Sequence, residues 1–308
     1  MLALATGVIL GWNLGANDAA NCFGTAVSSR MVSWRQAAVL AALLVVLGAV
    51  AEGMAGLHTL AGLTGQSATG AALGALAAAA TVTLMTVRRL PVSVSQAAVG
   101  ALVGTGLVAG DLHTEGLGKI LACWVGTPIG AMLLACVLHH ALRWPLRLWR
   151  PSVFTLDPLL RLGLVACGCY GAYALGANNV ATVASFVLAG GRLGPLGAVT
   201  LGGLAMAAGI LMFSRGVMLT VGRGITPLDG FSALVVVLAQ ALTVHLYARL
   251  GVPVSTTQAI VGAVLGIGLV KGFHIINLRH LGHIVGGWLL TPVLAAALAG
   301  LLALLVSA

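Results

Sequence analysis

The stretch PVSTTQAIVGAVLGIGL at residues 253–269 repeats an earlier stretch of the same chain, PVSVSQAAVGALVGTGL at residues 91–107, with 11 of 17 positions identical. Both stretches lack charge and are rich in Gly, Ser, Thr and Gln, which is typical of broken or re-entrant membrane helices rather than of helices that face lipid. The repeat therefore predicts a duplicated membrane protein with interrupted helices at matching positions of its two halves.

The composition agrees with a membrane protein. Of the 308 residues, 60% are hydrophobic and only 7% are charged, and the mean hydropathy is +1.09. A soluble domain carries about 25% charged residues, so a soluble fold is excluded. The net charge of +9 comes from 15 Lys and Arg without a dense basic run, so no nucleic-acid partner is expected. Because the apolar runs are long and do not alternate, we predict an all-α integral membrane protein.

Charged residues divide the chain into ten charge-free stretches, most of them long enough to cross a bilayer, which takes about 20 apolar residues. We therefore predict about ten membrane segments in a multi-pass protein of a prokaryotic plasma or inner membrane. No cleavable signal pattern precedes the first of them. The stretches are 1–17, 36–51, 53–87, 90–110, 120–142, 162–191, 193–214, 230–248, 250–270 and 280–308.

The loop charges predict an orientation with the N-terminus outside, because Lys and Arg concentrate in cytoplasmic loops. Five segments in each half make the second half enter the membrane in the opposite direction. We predict a first repeat at 1–140, a basic cytoplasmic connector at 141–161 that serves as a topology anchor or contacts anionic lipid, and an inverted second repeat at 162–308. The arginines and the lysine assigned to the cytoplasm are Arg30, Arg35, Arg88, Arg89, Arg143, Arg147, Arg150, Arg161, Arg215, Arg223, Arg279 and Lys271, whereas Arg192 and Arg249 fall outside.

A second duplicated motif is GANDAAN at 15–21, which recurs as GANN at 176–179. Trp124, Thr127 and Pro128 also recur, at 288, 291 and 292. Inverted repeats with interrupted helices are the strongest sequence indication of a secondary transporter whose site lies between the repeats. An enzyme is not expected, because the chain has no HExxH, no GxSxG and no paired carboxylates.

The first motif predicts a cation site. A carboxylate within a membrane segment is costly and is by default a functional candidate. Asn17, Asp18 and Asn21 lie at helical spacing and offer hard oxygen ligands, which suit sodium, while Asp18 could also carry a proton. Glu52 is a second acid within a membrane segment, and either a coupling role or an interfacial position accounts for it.

The Pro-Val-Ser motifs predict an anion site. The N–H groups and the positive dipole of a first helical turn receive an oxyanion without any arginine, and hydroxyl and amide side chains add donors. Interhelical hydrogen bonding is the alternative role for the hydroxyls, and close packing accounts for the glycines that follow. The predicted donors are Ser93, Ser95, Gln96, Ser255, Thr256, Thr257 and Gln258.

On these motifs the chain resembles the inorganic phosphate transporter family, cation-coupled symporters with a duplicated GANDxAN signature. The resemblance extends in patches over nearly the whole chain. It implies that the two motifs meet within the membrane and bind phosphate with sodium or protons. It also implies that Glu52 corresponds to a membrane glutamate of the family, and that the chain forms a homodimer. The implied cation-coordinating residues are Asn17, Asp18, Asn21, Asn178 and Asn179, with Asp18, Asn17 and Asn178 as sodium ligands.

The chain departs from that pattern in the second half. Asn179 stands where the first copy has Asp18, and no acid lies between Asp157 and Asp229. The first Pro-Val-Ser block also continues with Val94-Ser95, which reduces its hydroxyl count. Because an amide oxygen attracts a cation less than a carboxylate does, we expect fewer coupled cations, or proton coupling through Asp18.

The leading hypothesis from the sequence is a phosphate symporter that uses no cofactor beyond the coupling ion. A sulfate permease of the same family is the alternative, and a passive anion channel is the alternative of a different class. Sulfate offers no proton donor, so an acceptor such as Asp18 in the site favours phosphate.

Overall fold

A computed structural model describes residues 1–63, 65, 67–87, 92–221, 228–272 and 278–307 of the chain. Pro91, Arg88, Arg89 and Arg223 of the motifs and loops above lie outside these residues. Eleven α-helices and no strands occur in the described residues. The helices are α1 (Leu2–Ser28), α2 (Trp34–Glu52), α3 (Met54–Ala61), α4 (Ala68–Val87), α5 (Val94–Ala109), α6 (Glu115–Trp149), α7 (Val153–Ala189), α8 (Pro195–Val221), α9 (Gly230–Arg249), α10 (Thr256–Lys271) and α11 (Leu278–Ser307).

Seven of the described helices, α2, α4, α6, α7, α8, α9 and α11, contain stretches long and apolar enough to cross a membrane. The two helices that follow the Pro-Val-Ser motifs, α5 and α10, have 16 residues each and are shorter than a bilayer crossing requires. The chain is therefore an integral membrane protein, whereas the total of about ten segments stays a prediction. The charge-free stretch 53–87 is divided between two helices, because α3 ends at Ala61 and α4 begins at Ala68.

The interrupted helices belong to two hairpins, α4–α5 and α9–α10, whose open ends are closed by polar contacts. Beside the first, Gly65 N donates to Asp111 Oδ2 at 2.8 Å and His113 N donates to Leu63 O at 2.9 Å. In the second, Lys271 at the end of α10 forms an ion pair with Asp229, the residue before α9. Each short helix thus folds back beside its partner, with Val92 and Ser93 at the tip end of α5 and Pro253 to Ser255 at the tip end of α10.

The two halves are joined by four backbone contacts that occur in corresponding pairs, 161 residues apart. At each contact a glycine touches the backbone of a helix from the other half so closely that an added Cβ would overlap a carbonyl oxygen. The contacts join α1 with α8 and α2 with α7, and they are Gly15 with Met206, Gly176 with Val45, Gly209 with Trp12, and Gly48 with Tyr173.

The short helices pack against the longest ones in the same manner. An added Cβ at Gly100 of α5 would overlap the carbonyl of Pro292 on α11, and one at Gly262 of α10 would overlap the carbonyl of Pro128 on α6. The expectation that these glycines serve close packing is confirmed, and the recurrence of Pro128 at 292 is explained by the same contact.

The predicted connector at 141–161 contains helix ends. The helix α6 continues to Trp149, and α7 begins at Val153, so only three residues separate them. Trp144, Trp149 and Phe154 are exposed in this segment, as expected of aromatic residues at a membrane interface.

Candidate functional site

Asp18 on α1 and Asn179 on α7 form the centre of the candidate site. These residues occupy corresponding positions of the two GAN motifs, and Asn179 Nδ2 donates to Asp18 Oδ2 at 2.9 Å. Both side chains are almost fully buried. The helices α1 and α7 run antiparallel here, because Gly7 contacts Val187 while Gly11 contacts Val183. The duplicated motifs therefore meet directly, as the resemblance implies.

The second hairpin supplies the next contacts. Thr256, the first residue of α10, donates its hydroxyl to Asp18 Oδ2 at 3.0 Å. Asn21 lies one turn after Asp18 on α1, and its Nδ2 donates to the hydroxyls of Thr256 at 3.2 Å and Thr257 at 3.3 Å. Asn17 donates to the other carboxylate oxygen, Asp18 Oδ1, at 3.1 Å. The N-terminus of α10 is thus held against the acidic motif of the first half.

Asn178 fixes the segment that precedes α10. Its Nδ2 donates to Val254 O at 2.8 Å, and its Oδ1 accepts from Val254 N at 3.2 Å. The same carbonyl of Val254 accepts from the Ser95 hydroxyl of α5 at 3.4 Å. The two hairpin tips therefore lie in contact beside Asp18, which brings residues of both Pro-Val-Ser motifs into one site.

Ser93 and Ser255 are the N-cap residues of α5 and α10. Ser93 Oγ accepts from Gln96 N at 3.3 Å, and Ser255 Oγ accepts from Gln258 N at 3.2 Å. A cap of this kind satisfies one of the N–H groups that a helix start leaves unpaired. The local sequence therefore starts each helix at the tip, with the remaining N–H groups and the positive end of the helix dipole at the site.

The charge of Asp18 is the most informative property of the site. Its three hydrogen-bond donors, Asn17, Asn179 and Thr256, are all neutral. Among the described residues no Lys, Arg or His forms an ion pair with this carboxylate. A buried carboxylate without a counter-charge is strongly unfavourable, so the site calls for a bound cation or a proton.

The two glutamines of the hairpin tips carry buried oxygens that lack a partner. Gln96 Oε1 and Gln258 Oε1 accept no hydrogen bond from the part of the chain that the structure describes. Trp124 Nε1 and Trp288 Nε1 are likewise buried without a partner there. On α10 and α6, Gly262 contacts Pro128 and Gly266 contacts Met132. The same register places Gln258 beside Trp124, since each lies one turn before Gly262 and Pro128 on its own helix. Unpaired donors and acceptors beside both tips indicate a place for a polar ligand or water.

Glu52 is not among the hydrogen-bond partners of Asp18. It forms ion pairs with Arg249 and His245 and accepts from Tyr173. Sequence reasoning missed these partners, because they are single residues without a repeated counterpart. The sequence did contain one indication of the ion pair. Arg249 was predicted on the outer side of the membrane, where a positive charge is not expected, and an acid in a membrane segment such as Glu52 would pair with it.

The other predicted residues lie together. Eight of the thirteen are joined by hydrogen bonds around the hairpin tips. Ser93 and Ser255 cap the helices that begin there, Gln96 and Gln258 lie in the first turns of the same helices, and Glu52 is the exception. No group of three or more His, Cys, Asp or Glu that could hold a metal occurs among the residues described, so a cation here would be held by one carboxylate with amide and hydroxyl oxygens. Such ligands suit a hard cation of single charge better than a transition metal.

The sequence profile of the phosphate transporter family matches residues 14–299, which include both GAN motifs and both hairpins. The chain belongs to the phosphate transporter family. The membership accounts for the duplicated signature and for the meeting of its two copies at Asp18 and Asn179.

Relatives of this family match nearly the whole chain. A candidate phosphate permease of Methanocaldococcus jannaschii is 30% identical, covering 92% of this chain and 89% of its own length. A candidate phosphate permease of Pyrococcus furiosus is 27% identical over 98% of this chain and 95% of its own. A solved structure described as the sodium-dependent phosphate transporter superposes with a TM-score of 0.87 at 26% identity, covering 99% of this chain and 98% of that one.

Proposed function

We propose that this protein imports inorganic phosphate by symport with a cation, across a prokaryotic plasma membrane. The observation that carries the proposal is the buried, uncompensated carboxylate of Asp18, held in direct contact with the hairpin tip where α10 begins. The Asp18 carboxylate attracts a cation, and the start of α10 attracts an oxyanion. A site that holds both at once suits coupled transport of the two ions.

The anion would bind between the two hairpin tips. The first turns of α5 and α10 leave N–H groups unpaired, and the hydroxyl of Thr257, which accepts from Asn21, lies beside them. The hydroxyls of Ser95 and Thr256 donate to Val254 O and Asp18 in this structure and would turn to the anion when it binds. Ser93 and Ser255 use their oxygens as caps, so their hydroxyl hydrogens stay available to a ligand. An oxyanion would therefore be held by dipoles and neutral donors, without an arginine.

The cation would bind at Asp18, with sodium as the proposed ion. Amide oxygens of Asn17, Asn21 and Asn178 are the further ligands proposed, and all three residues belong to the hydrogen-bonded set around Asp18. The similar solved structure is that of a sodium-dependent transporter, which favours sodium. Protonation of Asp18 would neutralise the same charge, so a proton is the alternative coupling ion.

Phosphate is favoured over sulfate by the two glutamines. At neutral pH phosphate carries at least one P–OH group, which donates a hydrogen bond, whereas sulfate has none. Gln96 Oε1 and Gln258 Oε1 are buried acceptors without a donor among the described residues. A protonated oxyanion would satisfy such an acceptor, and sulfate would leave it unpaired, which costs about 1–3 kcal/mol.

Transport would proceed by alternating access between two inverted repeats, 1–140 and 162–308, joined by 141–161. The paired glycine contacts between the halves and the antiparallel course of α1 and α7 support this arrangement. A cavity of about 200 Å³ lined by Leu60, Leu102 and Ser185 lies toward the end of α7, on one side of the site. Closure of this side and opening of the other would carry the ions across.

The proposal is tested by uptake of labelled phosphate into proteoliposomes under an inward sodium gradient, a proton gradient, or neither. We expect accumulation with sodium and little inhibition by a tenfold excess of sulfate. Asp18→Asn removes the charge with little change of shape, and coupled uptake should be lost. Uptake that needs no gradient would indicate a channel, stronger inhibition by sulfate than by phosphate would indicate a sulfate permease, and a fully active Asp18→Asn would refute the cation site.

A further inference from the structure

Glu52 lies at the centre of a second polar cluster, formed with Tyr170, Tyr173, His245 and Arg249 and called here the Glu52 cluster. Both oxygens of the Glu52 carboxylate have two partners. Oε1 accepts from Tyr173 Oη at 2.8 Å and from Arg249 Nη2 at 3.0 Å. Oε2 accepts from Arg249 Nε at 2.9 Å and is 2.9 Å from His245 Nε2. The cluster thus joins α2, α7 and α9.

The cluster occurs in one half only. Phe213 and Trp12 stand 161 residues from Glu52 and Tyr173, and their rings pack edge to face with centroids 4.7 Å apart. The N-caps Ser93 and Ser255 set an offset of 162 for the hairpins, which makes Thr83 the counterpart of His245. The Trp12–Phe213 ring pair holds the corresponding helices together without charge. Helix packing alone therefore does not require the charged residues of the Glu52 cluster.

The Glu52 cluster is attached to the hairpin tip that forms the candidate site. Arg249 is the last residue of α9, and the tip continues through Gly251 to Val254 and Thr256, the partners of Asn178 and Asp18. Thr59 of α3 donates to Gly251 O at 2.5 Å. The ion pair of Glu52 with Arg249 therefore helps to hold the second tip on the helices α2 and α3.

His245 can take up a proton without any movement of heavy atoms. Its Nε2 faces Glu52, and its Nδ1 lies 2.6 Å from the hydroxyl of Tyr170. In the neutral ring Nε2–H donates to Glu52 and Nδ1 accepts from Tyr170. When Nδ1 binds a proton from water, both nitrogens donate, and the Tyr170 hydroxyl rotates so that its oxygen accepts.

Protonation of His245 would change which positively charged side chain neutralises the Glu52 carboxylate. In the described chain, the titratable and charged groups facing His245 are Glu52 from α2, Tyr170 and Tyr173 from α7, and Arg249 from α9 itself. Arg249 Nε lies 3.4 Å from His245 Nε2, so a charged His245 would repel it. The Arg249 side chain is 66% exposed, which leaves it free to turn toward solvent, while His245 keeps the carboxylate paired.

We propose that the Glu52 cluster is a proton-binding site, separate from Asp18, in which protonation of His245 releases Arg249 and so removes one of the contacts that hold the second hairpin tip. The consequence for transport rests on the proposed function, since the tip forms part of the phosphate site. Proton binding itself does not depend on it, because every contact of the cluster lies outside the Asp18 site.

The test measures the position of the tip directly. Spin labels are placed at Leu250→Cys on the tip and Leu43→Cys on α2, both exposed positions, in a background with the five native cysteines replaced by alanine. Distances between the labels are recorded by electron double resonance without phosphate, at about pH 8 and about pH 5.5, on either side of the range in which histidines titrate. We expect a second, longer distance at the lower pH.

Three variants assign the response. His245→Gln keeps one hydrogen bond but cannot titrate, and it should show the short distance at both pH values. Arg249→Gln should show the longer distance at both, and Asp18→Asn should respond as the parent does. A parent without a response to pH, or a His245→Gln variant that responds like its parent, would overturn the proposal.

Uptake measurements on the chain with its native cysteines provide the second readout. The ratio of phosphate uptake at the two pH values should differ between the wild type and His245→Gln. The variant should lack the part of the pH dependence that protonation of His245 causes. If the labels respond to pH but no phosphate enters, the transport proposal fails and the proton site stands. If phosphate enters but the labels do not respond, only the proton site fails.

Discussion

Asp18 and Asn179 occupy corresponding positions, but only one of them carries a charge. The amide of Asn179 donates to the carboxylate of Asp18 and so provides part of the stabilisation that a second cation would otherwise give. Two carboxylates at this distance in a buried site could not both ionise without a cation between them. We therefore expect the site to function with one fewer positive charge.

Asn179→Asp should consequently raise the number of cations used. The variant places a second carboxylate against Asp18, and their mutual repulsion is relieved by one further sodium or proton. We expect the steepness of phosphate uptake against sodium concentration to increase, and the ratio of sodium to phosphate to rise by one. Flux of both ions measured on the same vesicles checks this.

The matched control is Asn179→Ala, which removes the donor and adds no charge. It should weaken uptake and leave the ratio of sodium to phosphate as it is in the wild type. A ratio that stays constant in Asn179→Asp as well would show that the cation site does not extend to Asn179.

At this scale the sequence predicted which residues of the duplicated motifs lie together. Asn17, Asp18 and Asn21 were found because their motif returns at Asn178 and Asn179, and the structure brings these residues together. The partners of Glu52 were missed for the opposite reason. Tyr173 is 121 residues away and His245 is 193 residues away, and no periodicity links single residues at such separations.

At the scale of elements, the hairpins depend on close contact between short and long helices. Gly262 of α10 lies against the backbone of Pro128 on α6, as Gly100 of α5 lies against Pro292 on α11. The sequence indicated close packing from the glycines but could not assign the partners, because each of them lies in the other half of the chain.

Gly262→Ala should therefore destabilise the protein. The added methyl group would overlap the Pro128 carbonyl and force α6 and α10 apart, which typically costs about 1–3 kcal/mol. A thermal unfolding midpoint in detergent, followed by the fluorescence of the native tryptophans, provides the measurement.

Gly130→Ala on α6 is the control for that substitution, because nothing lies within 4 Å of a Cβ at this position. Alanine is the better helix former, so this variant should be as stable as the wild type or slightly more so. Equal losses from both substitutions would contradict the assigned contact.

The base of the second hairpin depends on pH through Asp229. Although burial raises the pKa of this carboxyl, the hydrogen bonds from Lys271 and Ser232 outweigh it and place the pKa below its usual value. The ion pair then stabilises the folded protein above the usual pKa of Asp, and this contribution is lost as the pH falls through the lowered pKa.

Asp229→Asn should lower stability near neutral pH by less than about 1 kcal/mol, since exposed ion pairs are weak and the Asp229 side chain is 58% exposed. Asparagine keeps the N-cap of α9, so the variant isolates the charge. The difference in unfolding midpoint between wild type and variant should disappear under strongly acidic conditions. A difference that persists there would assign the effect to the cap instead.

For the whole molecule, the loop charges and the proposed inverted repeats lead to one prediction about sidedness. The two hairpins should open toward opposite sides of the membrane, with the base at Asp111 outside and the base at Asp229 inside. The sequence suggested this from the arginines and the odd number of segments. The antiparallel contacts of Gly7 and Gly11 with α7 support it.

Single cysteines at the two bases test the sidedness. In a background without the native cysteines, Asp111→Cys should react with an impermeant maleimide added to intact cells, and Asp229→Cys should react only after the membrane is opened. Labelling of both from the same side would contradict an inverted arrangement of the hairpins.

The paired glycine contacts between the halves also have a consequence for how the chain is made. Gly209 must reach Trp12, and Gly48 must reach Tyr173, so each half completes the packing of the other. During synthesis α1 is made long before α8, and its glycine face stays without its partner until then. We therefore expect that neither half folds stably without the other.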